Sequence, residues 1–239
     1  MIESLLLQVV PGDIIRIAHR LTAASASACG INASGHIVGR YVTGSFEYGF
    51  LYRGGTYTTL NVIGFETQAC GINASDHVVG SYIEKTASGL KRHGFFYING
   101  LYATFDHPST TYWTEGRGIN SAGHIVGAYS VAGGSGKGFL YINGLYATID
   151  YPSALQTGAL GINDGGQIVG YYVDSSRHIH GYLLSNGTYA AINYPLATDT
   201  FAMGLKDDGQ IVGGYNKAGQ THGFLYTPNG GTYTTLDAP

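Results

Sequence analysis

The amino-acid sequence predicts an all-β fold, a five-bladed β-propeller with four antiparallel strands in each blade. Three observations lead there. First, the stretch GINASGHIVGRY returns as GINASDHVVGSY, GINSAGHIVGAY, GINDGGQIVGYY and GLKDDGQIVGGY, with lead glycines Gly30, Gly71, Gly118, Gly161 and Gly204. Second, the spacings of 41, 47, 43 and 43 residues match a unit of four short strands. Third, 38 of the 239 residues are Gly, 20 are Tyr and only 11 % are charged. That balance suits turn-rich sheet and not a helical bundle.

Each element follows from the repeat. Strand one leads into the Gly-Ile-Asn, strand two is HIVGRY, strand three GFLY at 49–52 and strand four YTTL at 57–60, with copies of each in every repeat. These runs are rich in Ile, Val, Tyr and Thr, and none keeps a 3.6-residue period. NASG at 32–35 and its copies turn strand one into strand two, and the NG pairs at 99, 143, 186 and 229 turn strand three into strand four, because Asn and Gly tolerate the dihedrals required. Gly161 lies nine positions after Pro152 and Gly204 nine after Pro195, and nine residues, 21–29, precede Gly30. Residues 21–239 are therefore expected to form the propeller, its ring closed by pairing of the N- and C-terminal strands. Residues 1–20 form an extension outside the blades, although LLLQVVPG loosely resembles YTTLNVIG and suggests a swapped or extra outer strand.

Several functions are argued against by composition. A net charge of −3 without a Lys/Arg cluster speaks against a nucleic-acid groove, and no segment is apolar for long enough to span a membrane. The first twenty residues make a poor signal peptide, since Glu3 precedes the apolar run and PGD at 11–13 cuts it; location stays open. Cys29 and Cys70 share one repeat position and read as small buried fillers. No Gly-x-Ser-x-Gly elbow or Cys/His pair is present, so covalent catalysis is not expected.

The variable connections follow strands two and four, which places them on one end of the ring, where a rigid scaffold carries function. Four positions before the lead Gly stand Thr67, Thr114, Thr157 and Thr200, with Ala26 in blade one. Small side chains there suit a narrow channel. Glu66, Glu115 and Asp199 break the symmetry at the channel mouth; they are either solvated loop acids or hard oxygen donors for calcium or magnesium. His93, His180 and His222 stand just before Gly-Phe or Gly-Tyr, as strand-end hydrogen-bonding residues or as a general base. Tyr41, Tyr82, Tyr129, Tyr172 and Tyr215 are open between ring packing and ligand contact.

The pattern GINxxGxIVGxY followed by HGFLYxxGxYxTIDYP covers about residues 21–239. It resembles the bacterial extracellular repeats named for a His-Ala-Phe motif, here written His-Gly-Phe. That resemblance implies an extracellular setting, and repeats one and three depart from it with Tyr48 and Lys137 at the His position. In size and repeat the chain is also similar to metagenome-derived, calcium-dependent N-acyl-homoserine lactonases, and in size and blade number to five-bladed tachylectin-type lectins. The lactonase likeness implies a monomeric hydrolase that opens an acyl lactone. Calcium held by Glu66, Glu115 and Asp199 would polarise the carbonyl, and His93, His180 or Glu115 would take the proton of the attacking water. Tyr112, Trp113 and Phe201, with Tyr82 and Tyr172, would line the acyl groove. The alternative is a multivalent glycan-binding propeller with sites of Tyr, His and Asn between the blades. A structural surface repeat without ligand is the third reading, since propellers host all three.

Overall fold

In a computed structural model of the chain the described residues are 25–62 and 66–237. They contain twenty strands and no helix. The expectations for residues 1–20, and for 21–24 at the start of the first blade, fall outside the described residues. Repeat one comprises β1 (Ser25–Ile31), β2 (Ile37–Thr43), β3 (Phe46–Arg53) and β4 (Thr56–Leu60). Repeat two has β5 (Glu66–Ile72), β6 (Val78–Thr86), β7 (Gly89–Ile98) and β8 (Leu101–Phe105). Repeat three has β9 (Thr114–Ile119), β10 (Ile125–Ser130), β11 (Gly136–Ile142) and β12 (Leu145–Ile149). Repeat four has β13 (Gln156–Ile162), β14 (Ile168–Val173), β15 (Ile179–Ser185) and β16 (Thr188–Ile192). Repeat five has β17 (Asp199–Leu205), β18 (Ile211–Lys217), β19 (Gln220–Thr227) and β20 (Thr232–Leu236).

Each repeat is an antiparallel meander, as in the register Tyr172–His180 between β14 and β15 and Gly181–Ile192 between β15 and β16. The turns are those the sequence requires. Asn32 Oδ1 accepts the N–H groups of Ser34 and His36, both at 3.0 Å, which closes an Asx turn. Asn143 and Gly144 take φ of 49° and 88°, the paired positive values of a type I′ hairpin. A single parallel bridge, Glu47 to Glu66, joins repeats one and two, so the sheets number four: one of eight strands and three of four.

Between successive sheets lies the core. The strand-two valines Val38, Val79, Val126 and Val169 are buried, as are the strand-three rings Phe50, Phe95, Phe139, Tyr182 and Phe224. Strand one of each repeat packs against strands one to three of the repeat before it, from the first pair to the fourth. This contact explains the lead glycines. A Cβ on Gly71 would lie 2.9 Å from Arg117 O, on Gly118 3.0 Å from Leu160 O, and on Gly161 3.1 Å from Met203 O. Adjacent inner strands come too close for any side chain.

Side-chain amides cross the same boundaries. Asn32 Nδ2 donates to Asn73 O and Asn73 Nδ2 to Asn120 O, both at 3.0 Å. Asn120 Nδ2 donates to Asn163 O and Asn163 Nδ2 to Lys206 O, both at 3.2 Å.

Three expectations are corrected. Strand pairing between the N- and C-terminal strands is not formed among the described residues: β1 pairs with β2, and β20 with β19. Every repeat draws all four strands from one stretch of chain, so neither end offers a vacancy. Among the described residues, no strand of repeat five packs on β1 as its counterparts do, and a Cβ on Gly204 would meet only Val212. Second, the inner-strand threonines line no channel. They are buried and clasp the linkers: Thr114 Oγ1 accepts from His107 N at 3.1 Å, Thr157 from Tyr151 N at 3.0 Å and Thr200 from Tyr194 N at 3.1 Å. Third, Cys29 is exposed, because the bulge between Ala28 and Gly30 turns it out of the ladder. Cys70 at the matching bulge is half-buried, and burial raises its thiol pKa to about 12.

Candidate functional site

Alternation along strand one sends Thr and Ala into the sheet boundary, so the residues five and three before each lead Gly fall on the other face. Those positions carry Glu66 and Gln68, Trp113 and Glu115, Gln156 and Gly158, and Asp199 and Phe201 in repeats two to five. This face is asymmetric, and its asymmetric groups meet on repeats two to four.

Glu115 anchors the cluster. Its carboxylate pairs with Arg117 two residues on and lies 3.4 Å from Arg92 Nε of the preceding repeat. Burial alone would lower the Arg117 pKa, but Glu115 beside it raises it above the ordinary range. Arg92 also donates from Nη1 to Ser81 Oγ at 3.3 Å and from its main chain to Tyr112 O at 3.3 Å.

Trp113 is fixed by its backbone. Ser130, buried at the end of β10, accepts from Tyr112 N at 2.8 Å and Trp113 N at 3.0 Å through one hydroxyl, and its own N–H donates to Trp113 O at 2.9 Å. The indole edge runs past Gly136, where a Cβ would lie 3.1 Å from Trp113 Cη2 and 3.4 Å from Gln156 Nε2. Gln156 Nε2 donates to Tyr171 OH at 2.8 Å, burial pushes the Tyr171 phenol pKa up, and the Tyr171 ring lies 5.8 Å from Phe201. Tyr112 is 67 % exposed at the rim. An indole, a phenol, an amide and a carboxylate between two guanidinium groups thus line one continuous surface.

The acids expected to bind calcium do not assemble there. No three His, Cys, Asp or Glu side chains among the described residues lie close enough to share a metal ion. Glu115 is neutralised by two arginines, which also repel a cation. Asp199 Oδ1 accepts Ile179 N at 3.0 Å and Oδ2 accepts from Thr198 Oγ1 at 3.2 Å. Burial would raise its pKa, but these hydrogen bonds hold it below the usual carboxylate range. Glu66 stands at the parallel bridge with Glu47, whose Oε2 takes Arg40 at 3.2 Å. The donor set does not fit calcium.

The histidines serve a recurring clasp between strand three and the end of strand four. His93 Nδ1 lies 2.7 Å from Asp106 Oδ2, His222 Nδ1 2.9 Å from Asp237 Oδ2, and His180 Nδ1 3.1 Å from Asn193 Oδ1; Lys137 pairs with Asp150 in the same place. His180 Nε2 is also taken, by Asp174 Oδ2 at 3.0 Å. His93 differs. Its ring stacks on Tyr82 at 5.3 Å, as His180 does on Tyr172 and His222 on Tyr215, but its Nε2 is buried, without a hydrogen bond, and lies 3.2 Å from Glu84 Oε2 as an ion pair.

The strand-two tyrosines are already covered. Linker rings lie flat on them: His107 on Tyr129 at 3.5 Å, Tyr151 on Tyr172 at 3.6 Å and Tyr194 on Tyr215 at 3.6 Å. Tyr82 is buried under its own repeat boundary. The expected sites between blades are therefore filled by the chain itself. Of the residues singled out from sequence, Tyr112, Trp113, Glu115 and Phe201 line the surface around Tyr171. His93 and Tyr82 pair with each other in repeat two, and His180 and Tyr172 in repeat four. Arg92, Arg117, Ser130, Gln156 and Tyr171 were missed. Glu115-x-Arg117 alternates onto one strand face and was the legible signal for part of this group.

No family model and no curated protein matches the chain. Solved structures do. A fucose-specific lectin from Aleuria aurantia is 14 % identical over 91 % of this chain and 78 % of its own, with a TM-score of 0.57. The β-propeller domain of the trilobed protease from Pyrococcus furiosus, described as an open velcro topology, is 12 % identical over 90 % and 69 %, with a TM-score of 0.58. A streptogramin B lyase is 12 % identical over 92 % and 71 %, with a TM-score of 0.56. The fold is an all-β propeller type. At such identity the likeness speaks for the fold alone.

Proposed function

We propose that the protein is a carbohydrate-binding propeller with one asymmetric site, the inner-strand surface of repeats two to four. The observation that carries this reading is the rigid Trp113, pinned through Ser130 beside the Gln156–Tyr171 pair and the Arg92–Glu115–Arg117 group. A sugar ring offers an apolar face to an indole and hydroxyls to a charged fork, whose hydrogen bonds are the stronger kind. The multivalent form is not retained, because linker rings occupy the boundaries between repeats. Titration calorimetry with fucose, galactose and short oligosaccharides tests it: a saturable heat near one site per chain is expected, weakened about tenfold or more by Trp113→Ala, in line with loss of an aromatic anchor. Absence of heat with every sugar sinks it.

Lactone hydrolysis is the second reading, favoured by His93, which Asp106 holds at Nδ1 and whose Nε2 faces Glu84 Oε2 at 3.2 Å. There His93 takes a proton from water, the water oxygen bonds to the lactone carbonyl carbon, and the ring C–O bond breaks. His93 returns the proton to the leaving alkoxide, giving the hydroxy acid. Ring opening of a long-chain N-acyl-homoserine lactone, abolished by His93→Gln and unaffected by a chelator, is the expected result. Turnover that needs added calcium would contradict this arrangement.

A further inference from the structure

The two cysteines stand at matching places on adjacent inner strands. Each occupies the bulge before its lead glycine, Cys29 between Ala28 and Gly30 of β1 and Cys70 between Ala69 and Gly71 of β5. The later repeats carry Arg117, Leu160 and Met203 at that position, so only the first boundary sets two thiols side by side. There the main chains touch. A Cβ on Gly30 would lie 2.9 Å from Cys70 O and 3.5 Å from Gly71 Cα. Three residues beyond each thiol, Asn32 Nδ2 donates to Asn73 O at 3.0 Å, and the bridge from Glu47 to Glu66 ties the same boundary at the start of β5. His36 Nδ1 and Arg53 Nε add ion pairs to Asp76 at 2.7 and 3.2 Å. The two strands are thus held in register on both sides of the thiols. The sulfurs also point alike: Cys29 Sγ lies 4.0 Å from Ser27 O and Cys70 Sγ 3.9 Å from Gln68 O, in each strand the oxygen two residues back. A disulfide needs Cα atoms about 4.4–6.8 Å apart and Cβ bonds that do not diverge. Neighbouring strands in main-chain contact and equal register meet that need.

We propose that Cys29 and Cys70 are a thiol pair that small disulfides oxidise to a cross-link between repeats one and two. Cys29 is exposed and Cys70 half-buried, so the reagent meets Cys29 first. The Cys29 thiolate attacks one sulfur of RS–SR, which forms a mixed disulfide and releases RS⁻. Cys70 gives up its proton and attacks the Cys29 sulfur, which expels the second RS⁻. Two cysteine thiols are oxidised, one small disulfide is reduced, and the two protons leave with two RSH. Burial raises the Cys70 thiol pKa to about 12, against the lowering effect of Arg117 and Arg40 beside it. Cys70 is therefore a poor leaving group, and the closed bridge resists thiols that attack it at Cys29. The two cysteines are 41 residues apart, a loop long enough for the bridge to restrain the unfolded chain strongly.

Equilibration of the full chain with reduced and oxidised glutathione tests this, followed by acid quenching, alkylation and peptide mass mapping. A monomer whose Cys29 and Cys70 peptides are joined is expected. The equilibrium should favour the bridge about a hundredfold more in buffer than in urea, and by linkage the bridge favours folding by the same factor. A native chain that keeps glutathione on Cys29 while Cys70 stays reduced overturns the proposal. So does a dimer linked through Cys29, or a bridge no more favoured in buffer than in urea.

Discussion

The side-chain amide of Asn163 donates to the main-chain oxygen of Lys206 at 3.2 Å, the last amide link between repeats among the described residues. The same link joins repeats one to two, two to three and three to four. In repeat five Lys206 stands at the Asn position and turns its ammonium to Asp208 at 2.9 Å. The links therefore run one way along the stack and bond consecutive turns.

Removing a middle link should be costly. Asn120 is buried and does two things: Nδ2 reaches Asn163 O, and Oδ1 caps its own turn by accepting His124 N at 2.9 Å. Asn120→Ala takes one of two donors from Asn163 O, which keeps Gly166 N at 3.1 Å, and leaves the His124 N–H without its acceptor, at about 1–3 kcal/mol for the latter. A fall in melting temperature of several degrees is expected by calorimetry. An unchanged transition would show that water replaces both bonds.

The lead glycines offer a sharper contrast. Gly118→Ala must push a Cβ against Leu160 O in the next repeat, 3.0 Å away, whereas at Gly204 the nearest atom among the described residues is Val212 Cγ2 at 3.4 Å. The first substitution should destabilise by about 1–3 kcal/mol as an overpacked contact. Gly204→Ala should stay within about 0.5 kcal/mol, as at a site with room. Equal losses in urea unfolding would mean that repeat five also meets a neighbour.

His107 makes stability depend on pH. Burial lowers its pKa below the ordinary histidine value, and it lies flat on Tyr129. The unfolded chain thus binds the proton more readily than the folded one, so stability rises with pH. Its contribution is fully present above about pH 6.5, the unfolded value, and is lost as the pH falls below that toward the folded pKa. His107→Tyr copies the residue found at Tyr151 and Tyr194, keeping the stack without the titration. Melting of the two proteins at pH 7.5 and pH 5 should show a smaller acid loss in the variant.

Strands and turns were legible because period-two apolar runs and Asn-Gly pairs act locally. Contacts between repeats were not. Glu115 reads as a free acid until Arg92, in a different repeat, is found beside it. Thr157 reads as a small channel residue until its hydroxyl is seen holding Tyr151 N. The stacking of His107, Tyr151 and Tyr194 was partly written in the sequence, since each stands two residues after the end of strand four, but the ring beneath belongs to the next repeat. Openness at the end of the stack depends on what packs across the seam, which no repeat pattern encodes.

Ser130 positions the proposed sugar site without touching a ligand. Its hydroxyl is the shared acceptor for Tyr112 N and Trp113 N, and no other repeat has Ser there: β2, β6, β14 and β18 carry Val42, Ile83, Val173 and Asn216. Ser130→Ala orphans two N–H groups in the strap before β9, so about 1–3 kcal/mol of stability should be lost. Trp113 should also lose its fixed pose. Sugar affinity is then expected to fall with a more unfavourable binding entropy, because the indole must be ordered on binding, and Ser130→Thr, which keeps the hydroxyl, should recover part of it. If calorimetry finds affinity unchanged in Ser130→Ala while stability drops, Trp113 is held by its ring contacts at Gly136, and the hydroxyl only ties down the strap.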